Sequence, residues 1–202
     1  SRECYGNSMS IYDKKGLNGA QAEYMYLYPK AYLYKVPDQL SDDLACLTEV
    51  MAVTYTLDKA KELFAFDGEG FEFGGTVVVQ GVGPLGLAHV IKARMMGAGK
   101  IIAIDVSDYK LNLAKAFGAD ITINSLNTTA EERIDIVRQA TNGFGANVVC
   151  ECSGVNAVIE EGLDMTRKTG VYIETGHFVD VGPNSINMHK VCAKNLRIIG
   201  MN

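Results

Sequence analysis

The chain has 202 residues, 48% of them hydrophobic and 21% charged, which allows one sizeable buried core, or one domain with part of another. The net charge of −5 argues against nucleic acid and anionic membranes as partners, because both attract basic proteins. No apolar run approaches the roughly 20 residues of a membrane helix, and the five irregularly spaced cysteines favour a cytoplasmic location over a disulfide-stabilised fold.

The first part of the chain differs in composition from the rest. Residues 1–40 are rich in tyrosine and interrupted by prolines, which predicts short strands and turns. Ser41 is suited to cap a helix, and apolar residues at helical spacing predict one long helix over 42–63. The glycine-rich residues 66–75 predict a loop.

From Thr76 onward, strand and helix patterns alternate. The strands are continuous apolar runs, as in a parallel sheet that is buried on both faces. Repeated strand–helix units predict right-handed crossovers and an α/β fold with a doubly wound parallel sheet, the Rossmann architecture. Strands are predicted at 76–81, 100–105, 120–125, 146–154, 170–176, 184–190 and 195–202, and helices at 84–97, 107–118, 129–142 and 156–168.

The stretch VVVQGVGPLGLAHV, residues 77–90, runs from a strand through a glycine turn into a helix. The first glycine permits a tight turn, the second lets the backbone approach a pyrophosphate, and the third lets the helix pack on the strand. Free backbone N–H groups and the helix dipole favour an anion there. The predicted pyrophosphate-binding residues are Gly81, Gly83, Pro84, Leu85 and Gly86.

An acidic residue ends the next predicted strand. Asp105 follows the turn at roughly the 20-residue spacing of an acid that binds the adenosine ribose. Its carboxylate can accept hydrogen bonds from the ribose hydroxyls and repels the 2′-phosphate of NADP, so NAD is the predicted cofactor. Lys110 is one helical turn further on and can reach the same ribose. In the alternative hypothesis, Asp105 caps the following helix and the glycines are only structural.

Residues 74–124, from GGTVVVQGVGPLGLAHV to AKAFGADITIN, resemble the zinc-dependent alcohol and polyol dehydrogenases of the medium-chain dehydrogenase/reductase superfamily. The resemblance continues upstream through 19–57 and downstream through VVCECSG and VYIETGHFVDVG. It implies that residues 1–40 are the remnant of a β-rich, GroES-like catalytic domain. It also implies that residues 41–202 are the NAD-binding Rossmann domain.

The resemblance implies a nicotinamide site built from three segments. Thr54 matches a helix threonine that packs near the nicotinamide. Cys152 and Ser153 match a stretch under the cofactor, and Gly176 and His177 match a backbone segment that faces the carboxamide. Residues outside this chain would line most of the substrate pocket, so the implied substrate is no more specific than a small alcohol or polyol.

The predicted strand at 184–190 resembles the edge strand that pairs two cofactor domains in this family. Pairing also protects an apolar strand edge from aggregation. We therefore expect a homo-dimer or a tetramer that is formed through the strand near 185–190.

Zinc is implied by the resemblance, but its usual ligands are missing. The family's catalytic zinc takes a Cys, a His from a Gly-His-Glu motif, and a third Cys or Glu. The chain has no Gly-His-Glu motif and no initiator methionine, so we expect zinc to belong to a longer parent protein. Glu49 matches a glutamate near the zinc of the polyol branch. The alternative is a helix glutamate that the helix dipole stabilises.

Three functional hypotheses follow from these observations. The first is the NAD-binding portion of a zinc-dependent alcohol or polyol dehydrogenase, which transfers a hydride between an alcohol and nicotinamide and is inactive in the form of this chain alone. The second is a non-enzymatic dinucleotide-binding or redox-sensing module. The third is a zinc-independent NADPH reductase of the same superfamily, which Asp105 disfavours.

Overall fold

A computed structural model describes residues 23–27, 32–62 and 69–200, and the chain forms two compact units, Ser1–Ser41 and Asp42–Asn202. In the described part of the first unit, Leu40 N donates to Pro37 O at 3.0 Å and closes a turn. No strand or helix is present in that part. The short strands predicted there are therefore wrong for its described residues, because no neighbouring strand pairs with them. The other residues of this segment lie outside the described residues.

The second unit is built on one parallel sheet of six strands in the order β3-β2-β1-β4-β5-β6. The predicted doubly wound α/β fold is confirmed. Every residue of β1 and β4 is buried, as expected for apolar strands that are covered on both faces. The strands are β1 Thr76–Gln80, β2 Lys100–Asp105, β3 Ile121–Asn124, β4 Ala146–Glu151, β5 Thr166–Glu174 and β6 Arg197–Gly200.

Helices cover both faces of this sheet and leave one hydrophobic cluster on each side. Alternate residues of β1 divide between the clusters, with Val77 and Val79 on one side and Val78 on the other. None of the helices in the described residues is long and apolar enough to cross a membrane. The helices are α1 Asp42–Ala45, α2 Thr48–Val53, α3 Tyr55–Glu62, α4 Pro84–Met95, α5 Asp108–Ala116, α6 Ala130–Ala140, α7 Ala157–Met165 and α8 Met188–Lys194.

The long helix predicted over 42–63 is wrong, because this segment forms the three short helices α1 to α3. Thr48 Oγ1 donates to Ala45 O at 2.6 Å, and Thr54 Oγ1 donates to Met51 O at 2.6 Å. These hydroxyls bond to the carbonyl three residues earlier, in competition with the regular backbone ladder. The polar threonines therefore interrupt a pattern that the apolar spacing alone predicts as continuous.

The predicted strand at 184–190 is also wrong. The side chain of Asn187 accepts a hydrogen bond from His189 N at 3.0 Å and caps helix α8. Lys190 Nζ then pairs with Asp164 of α7 at 2.7 Å, which holds the new helix against its neighbour. The segment therefore cannot be the pairing strand, and the edge of the sheet on this side is β6.

The predicted helix over 156–168 ends earlier, at Met165, and Thr166 begins β5. The helix ends here because Lys194 Nζ donates hydrogen bonds to the carbonyl oxygens of Leu163, Asp164 and Thr166 at 2.8, 2.9 and 3.0 Å. These carbonyls lie at the end of the helix, where they have no intrahelical partner. A residue from α8 therefore terminates α7, which local sequence does not reveal.

Candidate dinucleotide site

The glycine turn lies between the end of β1 and the start of α4. Gly81 has a φ of +83°, and a Cβ there would lie 2.7 Å from the Cβ of Ser153. A Cβ on Gly86 would lie 1.9 Å from Gly81 O. The first glycine is therefore required by backbone conformation and close approach, and the third by helix packing, as the motif predicts.

Gly83 has a different role, since no packing contact requires it. It is the N-cap residue of the 12-residue helix α4, and a Cβ there would meet nothing within 4 Å. Pro84 occupies the first helical turn, where its missing N–H costs nothing. The backbone N–H groups of Leu85 and Gly86 belong to the helix start, where donors lack intrahelical partners. Open space over free donors at a helix N-terminus fits a pyrophosphate.

Asp105 holds the turn in place through its carboxylate. Its Oδ2 accepts a hydrogen bond from Val82 N at 2.9 Å, and its Oδ1 accepts one from Ser107 N at 3.0 Å. Lys110 Nζ lies 3.8 Å from Oδ1. The helix cap of α5 is Ser107, whose side chain accepts from Lys110 N, so the alternative that Asp105 caps this helix is wrong. A carboxylate has about four acceptor sites, which leaves capacity for further donors.

A cleft of about 360 Å³ lies beside the turn, at the carboxyl ends of the strands. The strand order reverses between β1 and β4, and ligands of such sheets bind at this switch point. Thr54 is buried at 2% exposure, and its hydroxyl is bonded to Met51 O rather than directed at the cleft. The cleft is lined by Glu49, Val50, Val53, Leu85, Glu174, Thr175, His177 and Phe178.

Two glutamates that sequence analysis missed meet His177 at the same place, and of the three residues Glu151 is buried and the other two are half-buried. His177 Nδ1 is 3.0 Å from Glu174 Oε1 and 3.3 Å from Glu151 Oε2, and His177 Nε2 is 2.8 Å from Asn156 Oδ1. Glu151 and Glu174 are partners in the register of β4 and β5, and each is the last residue of its strand. A signal was available in the sequence, because carboxyl ends of neighbouring parallel strands meet at one edge.

Glu151 is completely buried and is surrounded by donors. Ser153 N donates to its Oε1 at 2.6 Å and Gly154 N at 3.1 Å, and the Ser153 hydroxyl contacts the same oxygen. Burial raises the pKa of Glu151, the bonds from Ser153 and Gly154 oppose this rise, and the nearby Glu174 adds to it. Gly176 must lack a side chain, because a Cβ there would lie 2.1 Å from Glu151 Oε2.

Cys152 packs against a second group of buried polar residues. Its Sγ lies 3.5 Å from Thr175 Oγ1 and 3.7 Å from His89 Nδ1. Burial raises the pKa of Cys152 to about 12, so the side chain is a neutral thiol at neutral pH. His89 Nδ1 lies 2.9 Å from Leu85 O, and its Nε2 lies 3.3 Å from Thr56 Oγ1. Because burial also lowers the pKa of His89, this imidazole is a neutral core residue.

The described residues do not build a zinc site of the kind that the family uses. Within residues 23–27, 32–62 and 69–200, three ligand-type side chains come close together only at Glu151, Glu174 and His177. Glu49 is exposed and lines the same cleft but does not belong to that group. A catalytic zinc needs three protein ligands, and within the described residues Glu49 belongs to no group of three ligand-type side chains.

Comparisons with known proteins agree with this architecture. The chain is 34% identical over 165 residues to erythritol/L-threitol dehydrogenase of Mycolicibacterium smegmatis, which covers 82% of the chain and 42% of that protein. It is 33% identical over 189 residues to sorbitol dehydrogenase 1 of Saccharomyces cerevisiae, covering 91% of the chain and 49% of that protein. The chain thus spans about half the length of the curated relatives it matches.

Solved structures and a family model lead to the same group. An alcohol dehydrogenase from Thermotoga maritima superposes with a TM-score of 0.72 at 32% identity, over 83% of this chain and 44% of that one. The alcohol dehydrogenase of Thermus sp. ATN1 superposes with a TM-score of 0.69 at 28% identity, over 83% and 45%. The family model for zinc-binding dehydrogenases matches residues 84–202, which is more than half of the chain. The chain therefore belongs to the zinc-binding dehydrogenase family.

Proposed function

We propose that this chain is the NAD-binding part of a zinc-dependent dehydrogenase that transfers a hydride between nicotinamide and an alcohol or polyol. The observation that carries the proposal is the pairing of the open Gly83 helix start with the Asp105 carboxylate, which bonds to the same turn. The first feature suits a pyrophosphate and the second suits a ribose. Relatives named for erythritol, threitol and sorbitol favour a polyol as the substrate of the whole protein.

The same carboxylate supports NAD over NADP. Asp105 is 8% exposed at the end of β2, so its charge would face a 2′-phosphate with little water between them. Lys110 is close enough to share the ribose, but its ammonium is already 3.8 Å from the Asp105 carboxylate. We therefore propose that this cation orients the aspartate and does not recruit a phosphate.

The nicotinamide end would occupy the cleft beside the turn. His177 lines this cleft, while Ser153 lies against Gly81 of the turn and Gly176 lies against Glu151, so we propose that all three border the nicotinamide. Thr54 and Cys152 would act from behind this layer through packing, since their polar atoms already have partners in the protein. Glu49, which lies on α2, would be a zinc ligand of the full-length parent.

The cellular setting and the assembly of the protein also belong to the proposal. Cys46, Cys150, Cys152 and Cys192 are free, as is usual in a reducing cytoplasm. Strand β6 lies at the edge of the sheet, and an unprotected edge invites a second chain. We propose a homo-oligomer that is formed through this edge.

Isothermal titration with NADH, NADPH and ADP-ribose tests the cofactor proposal. We expect NADH and ADP-ribose to bind, NADPH to bind at least tenfold more weakly than NADH, and Asp105→Ala to weaken NADH binding at least tenfold. Asp135→Ala is a matched control, because this carboxylate is exposed on α6. Equal affinity of NADH for the wild-type chain and Asp105→Ala, with both folded, would refute the proposed site.

A further inference from the structure

We propose that His177 is a positioning residue, whose imidazole joins the segment after β5 to the segment after β4 and so fixes one wall of the cleft. The inference rests on the proposed function, because that wall would border the nicotinamide ring. The wall consists of Glu174, Thr175, His177 and Phe178, which line the cleft where β5 ends. The placement of this segment therefore decides how much space is left for the ring.

The segments after β4 and β5 approach each other through two glycines. A Cβ on Gly154, whose φ is +69°, would lie 2.7 Å from Gly176 O. A Cβ on Gly176 would in turn meet the carboxylate of Glu151, the last residue of β4. Glu151 and Glu174 are register partners, so the two segments leave the sheet side by side. The residue after Gly176 is His177, whose side chain is thus placed to bridge them.

The imidazole of His177 reaches both segments because it has a nitrogen at each end. Nδ1 lies 3.0 Å from Glu174 Oε1 and 3.3 Å from Glu151 Oε2, and Nε2 lies 2.8 Å from Asn156 Oδ1. The amide of Asn156 offers both a donor and an acceptor, so it can pair with Nε2 in either protonation state of the ring. The bridge therefore depends on where the ring lies and not on its charge.

Asn156 takes part in this bridge instead of capping its own helix. It is the N-cap residue of α7, a position where an Asn side chain commonly accepts a hydrogen bond from the backbone of the first turn. Its side chain makes no such bond and faces His177. The carbonyl oxygen of Asn156 also accepts from Asn184 Nδ2 at 3.5 Å. Asn156 therefore contacts the chain between β5 and α8 twice, although it does not line the cleft.

Residues 175–187 connect β5 to α8 and contain no helix or strand. Gly176 N and His177 N donate to Glu174 Oε1 at 3.0 and 3.1 Å, which folds the start of this connection back on the end of β5. These bonds lie within one segment, whereas the imidazole ties that segment to another. Loss of the imidazole should therefore let Phe178 and the adjacent backbone move relative to the ring.

Asn156→Ala and His177→Ala in the full chain test the bridge. Asn156→Ala is the sharper of the two, because it removes a partner of the imidazole and leaves every residue that lines the cleft in place. Kd values are measured for NADH and for ADP-ribose, which lacks the nicotinamide ring. We expect both variants to weaken NADH binding by roughly three- to tenfold, as for the loss of one side-chain hydrogen bond, and to change ADP-ribose binding by less than about twofold.

A double variant shows whether the two residues act through one contact. If they do, Asn156→Ala combined with His177→Ala weakens NADH binding no more than His177→Ala alone. His189→Ala is the control, because this histidine is exposed on α8 and does not line the cleft. Asn156 is exposed and makes no cap bond, so its variant decides the question even if His177→Ala does not fold.

The outcomes separate this inference from the proposed function. If the wild-type chain binds neither NADH nor ADP-ribose, the proposed function fails and the inference fails with it. If both ligands bind and Asn156→Ala leaves the affinity for NADH unchanged, the bridge is refuted and the cofactor site stands. Equal weakening of NADH and ADP-ribose, or additive effects in the double variant, would also overturn the inference, because the two residues would then act on the whole site or independently of each other.

Discussion

The carboxylate of Asp105 accepts a hydrogen bond from the backbone N–H of Val82 at 2.9 Å, and thereby ties the end of β2 to the glycine turn after β1. The same carboxylate accepts from Ser107 N and is 8% exposed. It therefore has a structural role before any ribose binds. Substitutions at this position affect stability and cofactor binding together, and the two effects need separate measurements.

Asp105→Asn should lower the free energy of unfolding by about 1–3 kcal/mol, because an amide replaces a charged acceptor of two backbone N–H groups. It should also reduce the preference for NADH over NADPH, since the repulsive charge is gone. Urea unfolding gives the first quantity, and titration with both cofactors gives the second. An unchanged unfolding midpoint would mean that the bonds to Val82 and Ser107 contribute nothing to stability.

The glycines of the turn should separate into two classes. Gly83→Ala should fold with almost unchanged stability and bind NADH at least tenfold more weakly, because its methyl group enters the open space above the turn. Gly86→Ala should lose several kcal/mol of stability, since its Cβ would lie 1.9 Å from Gly81 O. Thermal unfolding and NADH titration of both variants check the contrast. Equal effects of the two substitutions on binding and on stability would contradict it.

The cysteines should differ sharply in reactivity. Cys46 and Cys192 are exposed and should react with a thiol reagent at pH 8, while the buried Cys150 and the half-buried Cys152 should react only after unfolding. Burial raises the pKa of Cys152 to about 12 and raises that of Cys150 as well. Peptide mapping by mass spectrometry identifies the modified residues. Modification of Cys152 in the folded chain at pH 8 would show that its thiol is accessible.

The same pKa shifts predict a loss of stability in alkaline solution. The folded chain holds the protons of Cys150 and Cys152 more tightly than the unfolded chain, in which a cysteine has a pKa of about 8.5. The stabilisation of the folded chain by these two protonated thiols is complete below about pH 8 and declines as the pH rises toward 12. Unfolding free energies of the wild type and of Cys152→Ala, measured from pH 7 to 10.5, should converge as the pH increases. A constant difference between the two unfolding free energies across this pH range would contradict the raised pKa of Cys152.

The edge of the sheet offers a test of the proposed assembly. Ile198 lies in the edge strand β6 and is 42% exposed, so a second chain that paired there would cover it. Ile198→Lys should shift a dimer to monomers, because lysine on an edge strand discourages pairing. Light scattering after size-exclusion chromatography measures the mass. Leu126→Lys is a control at an exposed apolar residue far from that edge in the strand order. A wild-type monomer would refute the proposal directly.

Local patterns predicted most of the α/β unit, because each strand is an apolar run and several helices carry their own caps. Thr129 and Glu132 form a capping box at the start of the predicted helix α6, and the glycine turn has the conformation that its motif requires. The predicted elements are wrong where side chains distant in sequence determine where a helix forms or ends. Lys194 ends α7, and Lys190 holds α8 against it, although neither residue is near that helix in sequence.

The sequence by itself determined the alternation of strands and helices, the glycine turn and the position of Asp105, since all three depend on spacing along the chain. Only the tertiary structure decided that Glu151 and Glu174 meet at His177, because this depends on the register between β4 and β5. It also decided that residues 188–194 are a helix, since packing on α7 outweighs local strand propensity. Contacts between segments distant in sequence therefore determine which side chains meet at the cleft.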